Sequence, residues 1–172
     1  MKKIKAPSFK DFLKVFPEVE LPIALSEDDH HTFSNKNKTL SESMVEEFIR
    51  PREMDEIDEF TEYVPCFRLP HHDNYIAIVY WRAKLMDYHY MMQTYTQKGE
   101  FIQSIHIAGM RTDGEKIAQL FCHIKENRTI HLVAGSAEAD STKYDPASSK
   151  AFKITLNHDG TSEIEMDETL TE

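Results

Sequence analysis

The chain has 172 residues, of which 40% are hydrophobic and 29% charged, and its formal net charge is −10. This composition is typical of a globular protein, and the length predicts one domain with its own core over residues 1–172. The acidic balance argues against binding of nucleic acid or anionic membranes, which needs clustered Lys and Arg. It favours a basic protein partner, although solubility alone also accounts for it.

The sequence predicts a cytoplasmic protein. No run of about 18 apolar residues could span a membrane, and the start of the chain lacks the apolar stretch of a secretory signal. Cys66 and Cys122 are not spaced as a CxxC pair, so no disulfide framework is expected. Cys122 falls on the apolar side of a strand pattern and is predicted to be a buried free thiol.

Residues 1–62 are predicted to be helical or irregular and to pack on a sheet. Ser8 is a candidate N-cap for a short helix that ends before Pro17, with the apolar stripe Phe9, Phe12, Leu13 and Phe16. A second helix is predicted over Thr39–Ile49, with Thr39 or Ser41 as its candidate N-cap. Between them, Glu18–Leu25 is predicted to be extended, and Ser26–Asn37 is predicted to be a polar loop.

Residues 63–168 are predicted to form an antiparallel sheet. Tyr63–Leu69 is expected at its edge, because Pro65 cannot donate to a central ladder. Further strands are predicted at Tyr75–Arg82, Met86–Thr96, Phe101–Met110, Glu115–Lys125, Thr129–Gly135, around Phe152, Ile154 and Leu156, and around Ile164 and Met166. We therefore expect an α+β fold: an antiparallel β-meander of six or seven strands, counted from Tyr75–Arg82 and so without the edge strand, with two short N-terminal helices. The pattern leaves open whether the sheet is open, a half-barrel or blade-like.

The strand Tyr75–Arg82 is apolar on both faces, so both faces should be covered, with the two N-terminal helices as cover. Turns at Gly99 and Gly114 set the register of the strands that follow. The pairs they predict on the apolar side are Met92–Ile105, Tyr90–Ile107, Ile107–Leu120 and Ile105–Cys122.

A loop around Asn127 would place His123 opposite His131. The predicted register then gathers a polar patch on one sheet face, made of His106, His123, His131, Ser104 and Gln93. The simpler interpretation is a partly solvated face on which histidine is tolerated. The alternative is a shallow cleft with imidazoles that titrate near neutral pH.

Two short elements, "DDHH" and "HHD", are the best metal-ligating candidates in the sequence. Their candidate ligands are His30, His31, His71, His72 and Asp73. Adjacent residues rarely serve one ion, because their side chains point apart, and a zinc site needs three or four convergent ligands. A metal would therefore require the two loops to meet, and solvated loops are the simpler alternative.

The sequence carries no G-x-S-x-G elbow, P-loop or GxGxxG motif, so no catalytic residue and no cofactor is predicted. We consider three functions, in this order. The first is a non-enzymatic, acidic module that binds a protein partner. The second is a small-ligand binder that uses a concave sheet face lined by Tyr88, Tyr90 and Met92, or the histidine side. The third is a metal-dependent enzyme built on the two His-His elements.

The segments "FPEVELPIAL", "AIVYW" and "YDPASSKAF" together resemble a family of small uncharacterised bacterial proteins found in Bacteroidetes-type genomes. The resemblance extends over most of the chain and implies a bacterial source. It brings no activity and no catalytic residue.

Overall fold

The computed structural model describes residues 5–139 and 149–167. Its helical segments are α1 (Phe9–Leu13), α2 (Asp29–Lys36), α3 (Glu42–Met44), a π-helical turn (Val45–Ile49) and a 3₁₀ turn (Arg50–Arg52). Its strands are β1 (Ile23–Leu25), β2 (Glu62–Arg68), β3 (Ile76–Lys84), β4 (Asp87–Tyr95), β5 (Phe101–Thr112), β6 (Lys116–Ile124), β7 (Ile130–Glu138), β8 (Lys150–Leu156) and β9 (Ser162–Met166). Within the described ranges, no helix is long and apolar enough to cross a membrane.

The strands form an antiparallel meander in the spatial order β2-β3-β4-β5-β6-β7-β8-β9, and β1 pairs with β6 outside this path. The predicted α+β meander is therefore confirmed, with β2 at one edge as expected. The predicted strand number is too low, because the described residues form nine strands. The short strand β1 was expected only as part of an extended segment, since Pro22 interrupts that segment.

The sheet curls because β5 separates from β6. β5 pairs with β4 along its length but with β6 only over residues 109–112, and β1 lies beside the remainder of β6. The turn between β8 and β9 reaches back to β4 and β5. There the carbonyl of Gly160 accepts hydrogen bonds from the Thr94 hydroxyl at 2.7 Å and from the Gln103 amide at 3.2 Å.

Two apolar cores cover the two faces of β3 and β4. The inner core is enclosed by the curled sheet and includes Val79, Met92, Ile107, Cys122, Leu132 and Ile154. The helix-side core lies under the N-terminal helical segments and includes Phe12, Phe16, Phe48, Ile49, Ile78 and Tyr95. The expectation that helices cover both faces of β3 is therefore wrong for one face, which the curl of the sheet covers instead.

The predicted N-caps are confirmed for α1 and α3. The Ser8 hydroxyl accepts the backbone N–H of Asp11 at 3.1 Å, and the Ser41 hydroxyl accepts that of Met44 at 3.2 Å. Each cap satisfies a backbone donor that has no partner inside the helix. The apolar stripes then dock on the sheet, where the rings of Phe12 and Phe48 stack with centroids 4.6 Å apart.

The prediction of a polar loop over Ser26–Asn37 is wrong, because most of this segment is α2. The Asp29 carboxylate accepts the backbone N–H of Ser26 at 2.7 Å at the start of the helix. Phe33 packs against Phe67 of β2, with ring centroids 5.7 Å apart. A short helix with so few apolar residues is stabilised by tertiary contacts, which a periodicity in the sequence does not reveal.

Much of the predicted register is confirmed. Met92 faces Ile105 across β4 and β5, and His123 faces His131 across β6 and β7. The last hairpin pairs Ile154 with Ile164. In each case the apolar alternation of two strands agrees with one turn, and this agreement fixes the pairing.

The predicted pairs beyond the β4–β5 bulge are wrong. Tyr90 faces Ala108 instead of Ile107, since an extra residue enters β5 at this point. Gly109 faces Leu120, so Ile107 does not pair with Leu120. The predicted Ile105–Cys122 pair is absent because β5 pairs with β6 only over residues 109–112 and the two strands have separated at Ile105.

Candidate functional site

A cavity of about 250 Å³ lies where the inner core ends, between α2 and strands β3 to β5. Its lining is mainly aromatic, with two carboxylates: Glu27, Asp28, His30, Trp81, Tyr88, Tyr90, Gly109 and Met110. Apolar walls with a few polar groups are the usual composition of a small-molecule site. We name this space the aromatic cavity.

Three rings form a parallel stack along one wall of the aromatic cavity. The imidazole of His30 lies on the indole of Trp81, with centroids 4.0 Å apart and planes 2° apart. Tyr88 lies parallel to the same indole, at 5.9 Å and 12°. Trp81 is only 8% exposed, whereas Tyr88 is half-buried. The tyrosine is therefore the ring of the stack that a bound molecule can cover.

Hydrogen bonds to the loop before α2 fix two of the lining side chains. His30 Nδ1 lies 2.7 Å from the carbonyl oxygen of Glu27, and the Tyr90 hydroxyl donates to the carbonyl of Ser26 at 2.9 Å. Burial is the main cause that raises the pKa of Tyr90 far above its ordinary value. Tyr90 therefore remains a neutral anchor for this loop.

The mouth of the aromatic cavity is negatively charged. Glu27 and Asp28 are both exposed, and no salt bridge joins either carboxylate to another described residue. Asp28 stands at the N-cap of α2 but its side chain makes no capping hydrogen bond. The partial positive charge of a helix N-terminus is about half a unit, so these carboxylates and Asp29 outweigh it.

Gly109 allows the close approach of β4 and β5 beside the aromatic cavity. It has φ of +135°, and a Cβ atom there would lie 2.1 Å from the carbonyl oxygen of Tyr88 and 2.7 Å from the Cα of His89. Side chains therefore cannot be accommodated at this position without displacing backbone.

The predicted metal ligands lie at separate places. His30 lines the aromatic cavity, whereas His71 and His72 line another cavity, of about 190 Å³. His71 Nε2 lies 3.2 Å from the carboxylate of Asp73, and His72 stacks on Tyr75. Across residues 5–139 and 149–167, no group of three or more His, Cys, Asp or Glu side chains could hold a metal ion.

The predicted polar patch divides into two parts. His123 and His131 face each other across β6 and β7 as predicted. His106 instead contacts Asp55, with Nε2 3.3 Å from the carboxylate, and its ring lies 4.7 Å from that of His89. The patch was predicted from a β5–β6 pairing that the structure does not contain.

Around His106 lies a buried polar network centred on Arg82, which is fully buried. Its guanidinium bonds the carboxylate of Glu53 and, at 2.9 Å, that of Asp55. Glu53 also accepts from the Tyr80 hydroxyl at 2.9 Å, and that hydroxyl accepts from Gln93 at 3.2 Å. The network thus fastens the segment after the 3₁₀ turn to the sheet.

The charges of this network shift the pKa values of its members. Burial lowers the pKa of His89, and partial burial lowers that of His106, whose side chain is 41% exposed; nearby positive groups lower both further. Burial would raise the pKa of Asp55, but the bonded guanidinium of Arg82 more than offsets it, so the pKa lies below its ordinary value. The histidines are therefore neutral members of a folded-state network near neutral pH.

Of the residues that line the aromatic cavity, two tyrosines were predicted from the sequence, whereas the tryptophan and the glycine were not. Tyr88 and Tyr90 were predicted to line a concave face, and both line the cavity, but the predicted Met92 is fully buried in the inner core. Trp81 and Gly109 were not predicted. A lone tryptophan and a glycine inside a strand pattern are the available signals.

No family model, no curated protein and no solved structure matches this chain.

Proposed function

We propose that the protein binds a small organic cation in the aromatic cavity. The observation that carries the proposal is the combination of an aromatic wall, led by the half-buried Tyr88, with two unpaired carboxylates at the mouth. Cations are attracted to the faces of aromatic rings by about 0.5–2 kcal/mol. The lining contains no lysine or arginine among the described residues, so no positive side chain in it opposes a cation.

The size and chemistry of the aromatic cavity favour a ligand with one flat apolar group. A volume of about 250 Å³ holds a single small ring with a short substituent. Met110 adds a flexible apolar wall, which adapts to the shape of a ring. A cytoplasmic location belongs to the same proposal and is supported by the two free, buried cysteines.

A titration monitored by the fluorescence of Trp81 tests the proposal, because the chain contains one tryptophan. Benzylammonium and neutral benzyl alcohol share a ring and differ in charge. We expect benzylammonium to bind at least tenfold more tightly. In Glu27→Gln/Asp28→Asn that preference should fall about tenfold, because each carboxylate contributes about 0.7 kcal/mol at roughly 6 Å in water.

The matched control is Glu59→Gln/Glu62→Gln, which removes the same charge from exposed carboxylates outside the cavity. It should retain the wild-type preference for the cation. Equal affinity for benzylammonium and benzyl alcohol in the wild-type protein, or no binding of either compound, would contradict the proposal.

A second candidate function is binding of a basic protein segment at β9. In the described part of the chain β9 pairs only with β8, and Ile164 and Met166 on its one face are 64% and 56% exposed. Glu163, before Ile164, and Glu165, between Ile164 and Met166, are exposed acidic residues on the other face of β9. Open strand edges accept extended segments by backbone hydrogen bonding.

Charge favours a foreign strand over a second copy of this chain. Antiparallel self-pairing centred on Ile164 would set Glu163 of each copy against Glu165 of the other, and like charges directly opposite are destabilising. A peptide that alternates Lys and Val should shift the amide NMR signals of residues 162–166, and Glu163→Lys/Glu165→Lys should abolish the shift. Dimerisation of the free protein through β9 would contradict this candidate.

A further inference from the structure

We infer that the ligand of the aromatic cavity is a protonated amine that carries at least one N–H group, and that His30 Nε2 accepts a hydrogen bond from it. This inference rests on the proposed function, because it names the class of cation that the same cavity takes. It separates protonated amines from quaternary ammonium compounds, which have the same charge and no donor.

The contact of His30 with Glu27 sets the tautomer of the imidazole. The partner of Nδ1 is a backbone carbonyl oxygen, at 2.7 Å, and such an oxygen can only accept a hydrogen bond. Nδ1 therefore carries the proton and donates. In the neutral ring the other nitrogen, Nε2, is then an acceptor with a free lone pair.

The surroundings of His30 leave the Nε2 edge of the ring for a ligand. One face of the imidazole is covered by the indole of Trp81, and the ring of His31 lies against it with centroids 4.0 Å apart. No described residue hydrogen-bonds Nε2, and His30 lines the aromatic cavity. The stack on Trp81 holds the ring in this orientation, so the acceptor is pre-positioned before any ligand arrives.

The remaining polar groups support the same ligand class. The Glu27 and Asp28 carboxylates accept hydrogen bonds and donate none when ionised. The Tyr90 hydroxyl proton is already committed to the carbonyl of Ser26. The cavity thus presents an excess of acceptors, which a quaternary ammonium group would leave unpaired and an amine N–H would satisfy.

The test is a series of benzylammonium ions with zero, one, two or three N-methyl groups, titrated against the wild-type protein in a buffer in which the amines are protonated. The last member has lost every N–H. We expect affinity to fall about tenfold at the step from two to three methyl groups, because one donor suffices for Nε2. If Nε2 did not accept a hydrogen bond from the ligand, each added methyl group would instead favour binding, because a more methylated ion is more weakly hydrated and loses less hydration when it enters the cavity.

The variant His30→Phe keeps a flat ring against Trp81 and removes the acceptor. In it the drop at the last methylation step should vanish, because no acceptor at this position then distinguishes an ion with an N–H group from one without. His31→Phe, at an exposed neighbouring position that does not line the cavity, should behave like the wild type.

The outcomes separate this inference from the proposed function. Equal or tighter wild-type binding of the quaternary ion overturns the donor requirement alone, as does a drop that persists in His30→Phe. Absence of binding by the whole series overturns the proposed function and the inference with it.

Discussion

The imidazole of His30 and the indole of Trp81 lie parallel with ring centroids 4.0 Å apart, and so join the first turn of α2 to β3, next to the edge of the sheet. The contact makes one wall of the aromatic cavity and also holds α2, which has no buried residue of its own. Binding and local stability therefore depend on the same pair of rings.

Replacing His30 by alanine should loosen this wall. We expect His30→Ala to lower the free energy of unfolding by about 1 kcal/mol, because an aromatic pair contributes about 0.5–1.5 kcal/mol beyond the area it buries. The emission of Trp81 should shift to longer wavelength, since its indole, now 8% exposed, gains contact with water. His31→Ala is the control and should leave the emission unchanged. An unchanged emission maximum in His30→Ala would refute the pairing.

Gly109 and Gly114 make a matched pair for testing the strand geometry beside the aromatic cavity. Both have positive φ, but a Cβ at Gly109 would meet the Tyr88 carbonyl at 2.1 Å, whereas a Cβ at Gly114 meets nothing within 4 Å. We expect Gly114→Ala to cost about 1 kcal/mol from backbone strain alone and Gly109→Ala to cost at least about 3 kcal/mol. Urea denaturation measures both. Equal costs would show that β4 and β5 do not approach so closely.

The buried ion pair of Arg82 and Glu53 should be sensitive to loss of one partner. Both side chains are almost completely buried, whereas the side chain of Asp55 is 38% exposed. We expect Glu53→Gln to cost about 3 kcal/mol and Asp55→Asn about 1 kcal/mol, because an uncompensated buried charge is expensive.

The double variant Glu53→Gln/Arg82→Met should cost less than the sum of its single variants, since neither charge is left alone. Thermal unfolding of the four proteins measures this coupling. Additive costs, or an Asp55→Asn variant as damaging as Glu53→Gln, would argue against the buried pair.

Acidification should destabilise the protein through His89 and His106. Burial lowers the pKa of each in the folded state, while each has its ordinary value of about 6.5 in the unfolded chain. As the pH falls below about 6.5 the unfolded chain takes up protons first, so the free energy of unfolding falls. The slope is at most about 1.4 kcal/mol per pH unit for each histidine.

The double variant His89→Gln/His106→Gln should flatten this pH dependence between about pH 7 and 5. The exposed His31 is the control, and His31→Gln should keep the wild-type slope. A residual slope is expected from His72 and His131, whose pKa values burial also lowers. A double variant with the full wild-type slope would contradict the assignment.

The sequence predicts the parts of the fold in which two local signals agree. The β6–β7 register follows from the alternation of Leu120 and Cys122 with Leu132 and Ala134, together with one short turn, and all of these pairs are present. The β4–β5 register fails beyond Tyr90 because Ile107 is an extra residue in a bulge. The bulge places the consecutive residues Ile107 and Ala108 both in the inner core. A prediction that assigns alternate residues of a strand to opposite faces cannot produce this arrangement.

The aromatic cavity is less accessible from the sequence than the sheet. Strand alternation brings Tyr88 and Tyr90 to one face, but nothing local indicates that α2 lies over them. The stack of His30 on Trp81 joins segments far apart in the chain, and it depends on a helix whose polar composition predicts a loop. The same segment supplies the carboxylates of Glu27 and Asp28. The sequence shows that these acidic residues are present, but not that they lie at the mouth of a cavity.

A crystal structure of the protein with benzylammonium is the most direct measurement of the central claim. We predict the ring of the ligand against Tyr88 in the aromatic cavity, with its nitrogen within about 3.2 Å of His30 Nε2 or of a carboxylate oxygen of Glu27 or Asp28. Binding of the ligand only at other surfaces, with the aromatic cavity closed or filled by protein side chains, would contradict it.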